Sequence, residues 1–549
     1  MSNGLLKIAG GTVYDPTNGI DGLVRDLWIE GGKIVAAPAD PAARPAKVID
    51  ARGLIVMPGG IDMHCHIAGP KTNAARRFRP EENRTAPPVY RTVATHSGTG
   101  GSVPSTFATG YRYAGLGYTT AFDAAITPLA ARHAHAELAD TPCIDRGFYV
   151  LVGNNHYLLD ALGAREPERV EAFLGWLLSA TKAYAPKLVN PGGVEAWKHG
   201  STLHSLDDSV PGFRTTPREI LQEVARAGSR LKLPHSVHVH TPNLGLPGNW
   251  STTLAAMQAV EPFGGHLTHI QFHSYGGDDE ASLCSSVAPL ADFVNAHPRL
   301  TVDVGQVMFG NTTSMTGDSQ VGYYLSNIHG TKWVSHDTEL ETGCGITPIR
   351  YKQNSVINAW QWAIGLEWYL LVDDPWRVVM STDHPNGGSF LAYPQIIRLL
   401  MDRTFRREQL ALLPRQVRQR SVLNEIEREY SLEEICIITR SGPARILGLK
   451  NKGHLGPGAD ADLTIYTPHK NQQTMFELPR YVIKAGETLM ADGELHEPAA
   501  GKTLHVAPEF DRSIETDLSR HFERYYSVRL ANYSLTAEEI GAAEATDCQ

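Results

Sequence analysis

The sequence predicts an α/β protein: a (β/α)8 TIM-like barrel with a small β-sandwich built from both chain ends. Three observations predict this fold. Short strands separated by turns fill residues 1–53, and a matching glycine-punctuated β stretch fills residues 451–500. Between them, residues 54–450 alternate apolar strand patterns with helical patterns, as expected of a parallel barrel.

Eight apolar, mostly β-branched segments are predicted as the barrel strands, in the order 54–57, 119–122, 147–152, 187–190, 236–240, 266–271, 301–304 and 378–382. Helical patterns over 168–183 and 217–227 separate some of them. The insertion 70–115 is rich in Gly, Pro, Thr and Arg, and loops of that length are usually functional, so it is predicted to act as a lid. Residues 501–549 are predicted to be a helical C-terminal extension that packs on the barrel or on a partner.

Composition narrows the class of protein. Of the 549 residues, 42% are hydrophobic and the net charge is -9 without a long basic run, which argues against nucleic acid as a partner. No apolar run is long enough to span a membrane, and the N-terminus lacks a signal-peptide pattern. Six scattered cysteines without a Cys-x-x-Cys pair exclude a Cys-based zinc finger or an ordinary iron–sulfur site and favour a cytoplasmic location.

A His-x-His pair provides the strongest local signal. The segment PGGIDMHCH places His64 and His66 after a short apolar strand and a Pro-Gly-Gly break. Alternate side chains of a strand point to the same face, so the two imidazoles project together while Cys65 points away. Such a pair is a bidentate ligand for a divalent metal ion.

Other metal-ligand candidates follow at the predicted strand ends, where barrel enzymes place their functional groups. Lys198 comes after strand four, His238 and His240 end strand five, His269 and His273 lie on strand six, and Asp383 follows strand eight.

The order His-x-His, Lys, His, His, Asp resembles the amidohydrolase superfamily with a binuclear metal centre, and GPGADADL at 456–463 is similar to the return into its small β-sandwich. Four loops, PGGIDMHCHIAGPK (58–71), VNPGGVEAWK (189–198), HIQFHSYGG (269–277) and TDHPNGG (382–388), resemble the amidohydrolase-type subunits of formylmethanofuran dehydrogenase and of the formyltransferase/hydrolase complex. The resemblance covers nearly the whole chain and implies a barrel of the amidohydrolase type.

The resemblance also implies a set of site residues. Two divalent ions, expected to be zinc, would be bound by His64, His66, Lys198, His240, His269 and Asp383, with carboxylated Lys198 as the bridge. His238 stays open as an alternative to His240, and His273 as an alternative to His269. Asp383 is the expected catalytic residue, because a carboxylate at the last strand end can accept the proton of a water molecule and deliver it to a departing amine.

The implied reaction is hydrolysis of N-formylmethanofuran, or of formylmethylofuran, to formate and the free amine, reversible in principle. The implied partners are other subunits of a formylmethanofuran dehydrogenase or formyltransferase/hydrolase complex, with methanofuran or methylofuran as coenzyme substrate. Two alternatives remain at this stage. One is a cyclic-amide hydrolase of the dihydropyrimidinase or dihydroorotase type, and the other is a non-catalytic scaffold subunit.

Four further residues are candidates for binding the substrate. Asn155 and Asn243 could hold the amide, although both also suit turns. Arg77 and Arg79 belong to an arginine-rich segment of the insertion, which could be a cationic entrance for an anionic coenzyme tail or simply a solvated loop.

Overall fold

A computed structural model describes residues 4–40, 44–85, 98–336, 338–496 and 500–548. Within these residues, eight parallel strands form a barrel in sequence order: β1 (Gly60–Cys65), β2 (Tyr118–Ile126), β3 (Asp145–Leu151), β4 (Ala185–Val189), β5 (His238–His240), β6 (Gly265–Leu267), β7 (Leu300–Asp303) and β8 (Val378–Val379). The barrel closes where Cys65 pairs with His384 and the His66 N–H donates to the His384 carbonyl oxygen. The predicted fold class is confirmed.

The first predicted barrel strand was wrong. Ile55–Pro58 belongs to the other sheet, where it pairs with Leu463–Tyr466. The chain crosses between the sheets at Gly59, whose N–H donates to the Asp462 carbonyl, while the next N–H, of Gly60, donates to Gly117. The change of sheet therefore comes later than residue 53, and β1 begins after the Pro-Gly-Gly break rather than before it. The other seven predicted strands overlap observed ones.

The second sheet combines strands from both ends of the described chain. Its members are Leu6–Asp15, Ile20–Glu30, Lys33–Val35, Lys47–Asp50, Ile55–Pro58, Leu463–Tyr466, Tyr481–Lys484, Glu487–Ala491 and Glu494–Leu495. A separate apolar cluster, which includes Ile8, Leu27 and Ile465, fills its core.

Helices surround the barrel and bury apolar side chains against it. They are Ala131–Ala139, His156–Gly163, Pro167–Thr181, Gly193–Lys198, Pro217–Arg230, Trp250–Val260, Val287–Ala296, Val356–Leu371, Tyr393–Met401, Arg403–Ala411, Arg415–Arg420, Leu432–Cys436, Gly442–Ile446 and Gln472–Glu477. None of the helices in the described part of the chain has the length and hydrophobicity needed to cross a membrane.

Two insertions decorate the barrel. The predicted lid 70–115 contains helices Gly69–Arg76, Glu82–Thr85 and Thr106–Gly115, while its residues 86–97 lie outside the described residues. Sequence analysis overlooked a second insertion, between β7 and β8. It consists of a three-stranded sheet, formed by Gly310–Thr316, Val334–His336 and Cys344–Tyr351, and of helix Ser319–His329.

The C-terminal extension packs on the barrel, but it is only partly helical. Helix Ile514–Tyr525 and the short helix Leu530–Tyr533 lie between two parallel strands, Thr503–Val506 and Ala543–Thr546. Thr503 pairs with Arg146 at the start of β3, so the extension joins the barrel sheet.

A buried ionic cluster fastens the second sheet to the barrel. Lys484 Nζ lies 2.8 Å from Asp145 of β3 and 2.9 Å from Asp462, and Lys452 Nζ contacts the same two carboxylates. The opposite charges compensate one another, because a buried charge without a partner would be strongly destabilising.

We predict that Gly59→Ala destabilises the fold at the point where the chain changes sheet. A Cβ atom there would lie 2.2 Å from Thr119 Oγ1 and 2.6 Å from Thr119 Cγ2. The free energy of unfolding should fall by roughly 1–3 kcal/mol, the usual effect of overpacking. Gly115→Ala is the control for denaturant unfolding, because no atom lies within 4 Å of its added Cβ. Equal stability of the two variants would contradict the close approach.

Candidate active site

A cavity of about 600 Å³ opens at the carboxyl ends of the barrel strands. Six polar side chains from five strands or strand ends line one part of it: His64, His66, Lys187, His240, His269 and Asp383. All six residues are buried. Five of them were predicted from the sequence, and the sixth, Lys187, was not.

The His-x-His pair faces one carboxylate oxygen. The Nε2 atoms of His64 and His66 lie 3.1 and 3.0 Å from Asp383 Oδ1. On the other side of the rings, His64 Nδ1 lies 3.0 Å from Asp303 Oδ2 and His66 Nδ1 lies 3.8 Å from Asp123 Oδ1. Carboxylates behind the rings favour protonation of Nδ1, which leaves both Nε2 atoms as acceptors toward Asp383.

His240 and His269 form the second half of the site, with ring centroids 4.7 Å apart. His273 stacks against His269, and one nitrogen atom of each of the three histidines falls within a span of 4.8 Å. However, His273 does not line the cavity, and its Nδ1 hydrogen-bonds Thr241 Oγ1 at 2.8 Å. The geometry therefore favours His269 over His273.

His238 points away from the cavity. Its Nε2 lies 3.0 Å from His64 Nδ1 and its Nδ1 lies 3.0 Å from His235 Nε2. Both nitrogen atoms are thus engaged inside the barrel, which favours His240 over His238 as the cavity-facing residue of β5.

The structure does not bring Lys198 to this cluster. Lys198 ends helix Gly193–Lys198, and its Nζ donates to the Glu341 carbonyl at 2.7 Å and lies 3.6 Å from Glu195. The lysine in the cavity is Lys187 of β4, whose Nζ donates to Thr268 Oγ1 at 3.1 Å. The cause of the misplacement is that Lys198 belongs to a helix after the strand rather than to the strand end.

The turns that follow the strands hold unusual backbone conformations. Asn190, Asn243, His269 and Asp383 each follow a barrel strand and have φ between 35° and 64°. Left-handed φ is unfavourable for residues with a Cβ and tends to accumulate at functional sites. For His269 and Asp383, this conformation accompanies the placement of the side chain in the cavity.

The charges around the cluster separate its ionisation states. Burial lowers the pKa of His269 to about 3 and that of His240 well below its usual value, so these rings are neutral. Burial also disfavours the charged form of His64, but the carboxylates of Asp303 and Asp383 outweigh it and raise that pKa to about 9. Burial lowers the pKa of Lys187 to about 7.

The donor set fits divalent metal ions. His64 Nε2, His240 Nε2 and His269 Nδ1 are buried atoms without a hydrogen-bond partner among the described residues. Since buried polar atoms are normally paired, several unpaired imidazole nitrogens beside a carboxylate indicate ligands for an ion.

The four predicted substrate-binding residues do not line the cavity. Asn155 caps helix His156–Gly163 by accepting from the N–H groups of Tyr157 and Leu158. Asn243 donates to Thr252 Oγ1 at 3.1 Å.

The two predicted arginines lie elsewhere on the insertion. Arg77 is exposed at the end of helix Gly69–Arg76. Arg79 donates to the carbonyl oxygens of Thr312 and Ile349 and so ties the two insertions together.

Away from the histidines, the cavity is mainly apolar and then becomes cationic. Leu244, Phe272, Leu325, Ile349 and Ile357 are among its apolar lining residues. Arg350 and Lys352 are exposed at its rim, and they also line a second, more open depression next to it. The cavity therefore suits a ligand with a polar head, an apolar body and an anionic end.

Sequence reasoning missed Lys187 and Asp303. In both cases a signal was present, because each is a charged residue inside an otherwise apolar strand. Such a residue is buried by the strand and needs a compensating partner or a function.

Known proteins resemble the whole chain. A family model described as "Amidohydrolase family" matches residues 47–490. The chain is 44% identical over 554 residues to Protein FwdA of Methanocaldococcus jannaschii, with 97% of this chain and 96% of that protein covered. It is 38% identical over 559 residues to the corresponding subunit of the formyltransferase/hydrolase complex Fhc of Methylorubrum extorquens, with 99% and 100% covered.

A solved structure extends the similarity to three dimensions. The crystal structure of the formyltransferase/hydrolase complex (FhcABCD) from Methylorubrum extorquens, in complex with methylofuran, contains a chain that matches with a TM-score of 0.93 and 36% sequence identity. The match covers 99% of this chain and 100% of that one. Together with the sequence similarities, it confirms the resemblance predicted from the motifs.

Proposed function

The chain belongs to the amidohydrolase family, and from this premise we propose that it hydrolyses the formamide of N-formylmethanofuran or formylmethylofuran to formate and the free amine. One observation carries the proposal: four histidines, a lysine and a carboxylate converge in a cavity that otherwise has apolar walls and a cationic rim. The relative of known structure was crystallised with methylofuran, which supports a furan coenzyme as the substrate.

His64, His66, His240, His269 and Asp383 would hold two divalent ions, with zinc the expected metal for a set rich in imidazole. Lys187, rather than Lys198, would be the bridging ligand after carboxylation by CO2. Its position in the cavity carries this assignment, and its lowered pKa supports it because only the uncharged amine reacts with CO2.

Asp383 is the proposed catalytic residue. Burial opposes its charge, but His269 and His64 hold its pKa well below the usual range, so it is ionised and can accept a proton. When bound, the metal ions lower the pKa of a water molecule and polarise a carbonyl oxygen. A bond forms between the water oxygen and the formyl carbon, Asp383 takes the water proton, and the C–N bond breaks as Asp383 delivers that proton to the amine.

Asn386 supports this role. Its amide donates to Asp383 Oδ1 at 3.0 Å, and its side-chain carbonyl accepts from the Met315 N–H at 2.7 Å. The carboxylate is thereby held in one orientation by a side chain that also lines the cavity.

The same relatives support a proposal about partners. The chain would work within a formyltransferase/hydrolase or formylmethanofuran dehydrogenase complex, and in such a complex the reaction could run in reverse. Six free cysteines agree with a reducing, cytoplasmic location, which stays a prediction.

Arg350 and Lys352 replace Arg77 and Arg79 in our proposal for the anionic end of the coenzyme. They lie at the rim of the cavity, whereas Arg79 is engaged by backbone carbonyls and Arg77 lies outside the lining. Arginine suits carboxylates because its planar guanidinium binds them in a bidentate way.

The central prediction concerns formate release. The chain, purified with whatever subunits accompany it, should release formate from a formylated furan coenzyme. Asp383→Asn should lower kcat by about 10²- to 10⁴-fold, because proton transfer by a positioned group contributes that much. Asp373→Asn, which changes an exposed carboxylate, is the control. No formate from folded, metal-loaded wild type would contradict the proposed function.

The two lysines give a paired prediction about metal content. Lys187→Met should lose bridged metal, measured as metal per chain by atomic emission after dialysis, because the bridge needs a carboxylated amine in the cavity. Lys198→Met should keep its metal, because Lys198 lies with Glu195 and the Glu341 carbonyl outside the cavity. The reverse pattern would restore Lys198 as the bridge.

A third prediction tests the cationic rim. Arg350→Ala should raise KM for a coenzyme with an anionic tail by roughly two- to fivefold, as expected for the loss of one exposed charge pair, and leave kcat unchanged. Arg77→Ala should leave both constants unchanged. A larger effect on KM from Arg77→Ala than from Arg350→Ala would place the entrance on the other insertion.

A further inference from the structure

A chain of three buried histidines runs from the active site into the barrel. His238 Nε2 lies 3.0 Å from His64 Nδ1, and His238 Nδ1 lies 3.0 Å from His235 Nε2. At the far end, His235 Nδ1 lies 3.2 Å from the carbonyl oxygen of Ile446. Barrel interiors are usually filled by branched apolar side chains, so a row of imidazoles there calls for an explanation.

The Ile446 carbonyl gives this chain a direction. A carbonyl oxygen only accepts hydrogen bonds, so His235 must donate to it through Nδ1–H. In a neutral imidazole the other nitrogen is then an acceptor, so His235 Nε2 accepts from His238 Nδ1–H. By the same logic His238 Nε2 accepts from His64 Nδ1–H, which leaves His64 Nε2 with a free lone pair.

We propose that His235 and His238 are positioning residues that fix the tautomer of His64, so that its Nε2 is available as a metal ligand. The inference rests on the proposed function only in that His64 is taken as a metal ligand. The opposite tautomer of His238 would donate to His64 Nδ1 and force the His64 proton onto Nε2, toward the ion.

Asp303 acts in the same sense but is shared. Its Oδ2 lies 3.0 Å from His64 Nδ1 and also 3.1 Å from His266 Nε2. The His64 proton therefore lies between two acceptors, Asp303 and His238. Only His238 is itself oriented by a further chain of hydrogen bonds that ends on the backbone.

Substitution of His238 separates positioning from packing. His238→Gln keeps one amide donor and one carbonyl acceptor, whereas His238→Phe keeps an aromatic ring to stack on Tyr149 and His266 but has no hydrogen-bonding group. If His238 sets the tautomer, zinc affinity measured by chelator competition should fall 10- to 100-fold in the Phe variant, the usual effect of losing a group behind a metal ligand. The Gln variant should stay near wild type.

A role in packing alone predicts the reverse, with Phe near wild type and Gln weakened, and that result would overturn the proposal. His135→Phe is the matched control, because His135 is a buried histidine bonded to the Thr181 carbonyl on an outer helix. Its zinc affinity should be unchanged, and a similar loss there would show a general effect of removing a buried imidazole.

Neutron diffraction tests the inference on the wild type and does not depend on whether a variant folds. Deuterium should appear on Nδ1 of His64, His238 and His235, and deuterium on Nε2 of His238 would overturn the proposal. Failure of formate release with these positions occupied as expected would contradict the proposed function but leave this inference standing.

Discussion

One buried carboxylate holds the active site together. Asp303 of β7 accepts hydrogen bonds from His64 of β1, from His266 of β6 and the N–H of His269 just beyond it, and from Ser381 Oγ beyond β8. A buried charge is strongly unfavourable unless its lone pairs are satisfied, so these donors and Asp303 require one another. Three strand ends are thereby locked at fixed distances, although Asp303 itself does not line the cavity.

The same division of labour recurs around the cavity. Groups that face it, such as His66 and Asp383, are each oriented by a group behind them: Asp123 lies near His66, and Asn386 donates to Asp383. The second insertion supplies part of the apolar lining and the cationic rim, so the barrel provides the polar end and the insertion shapes what can enter. This separation lets substrate preference change without disturbing the ligands.

Sequence reasoning predicted the parts that depend on local patterns. Alternation along a strand places His64 and His66 on one face, and the order of strand ends places His240, His269 and Asp383 in one cavity. It failed for Lys187 because a strand lysine and a loop lysine nearby both fit the expected order, and only tertiary structure decides between them. It failed for β1 because Gly59, with no room for a side chain beside Thr119, sends the chain into a different sheet. The four substrate-binding candidates were chosen for residue type alone, which does not fix what a loop side chain contacts.

The second sheet also constrains how the protein can be made. Its strands come from both ends of the described chain, and the ion pair between Lys33 and Asp460 joins residues 427 positions apart. At translation rates of about 5–20 residues per second, the early strands wait about 20–90 s for their partners. During that interval their unpaired edges are exposed on the ribosome, so the nascent chain is expected to need chaperones that cover strand edges until synthesis reaches Leu463–Tyr466.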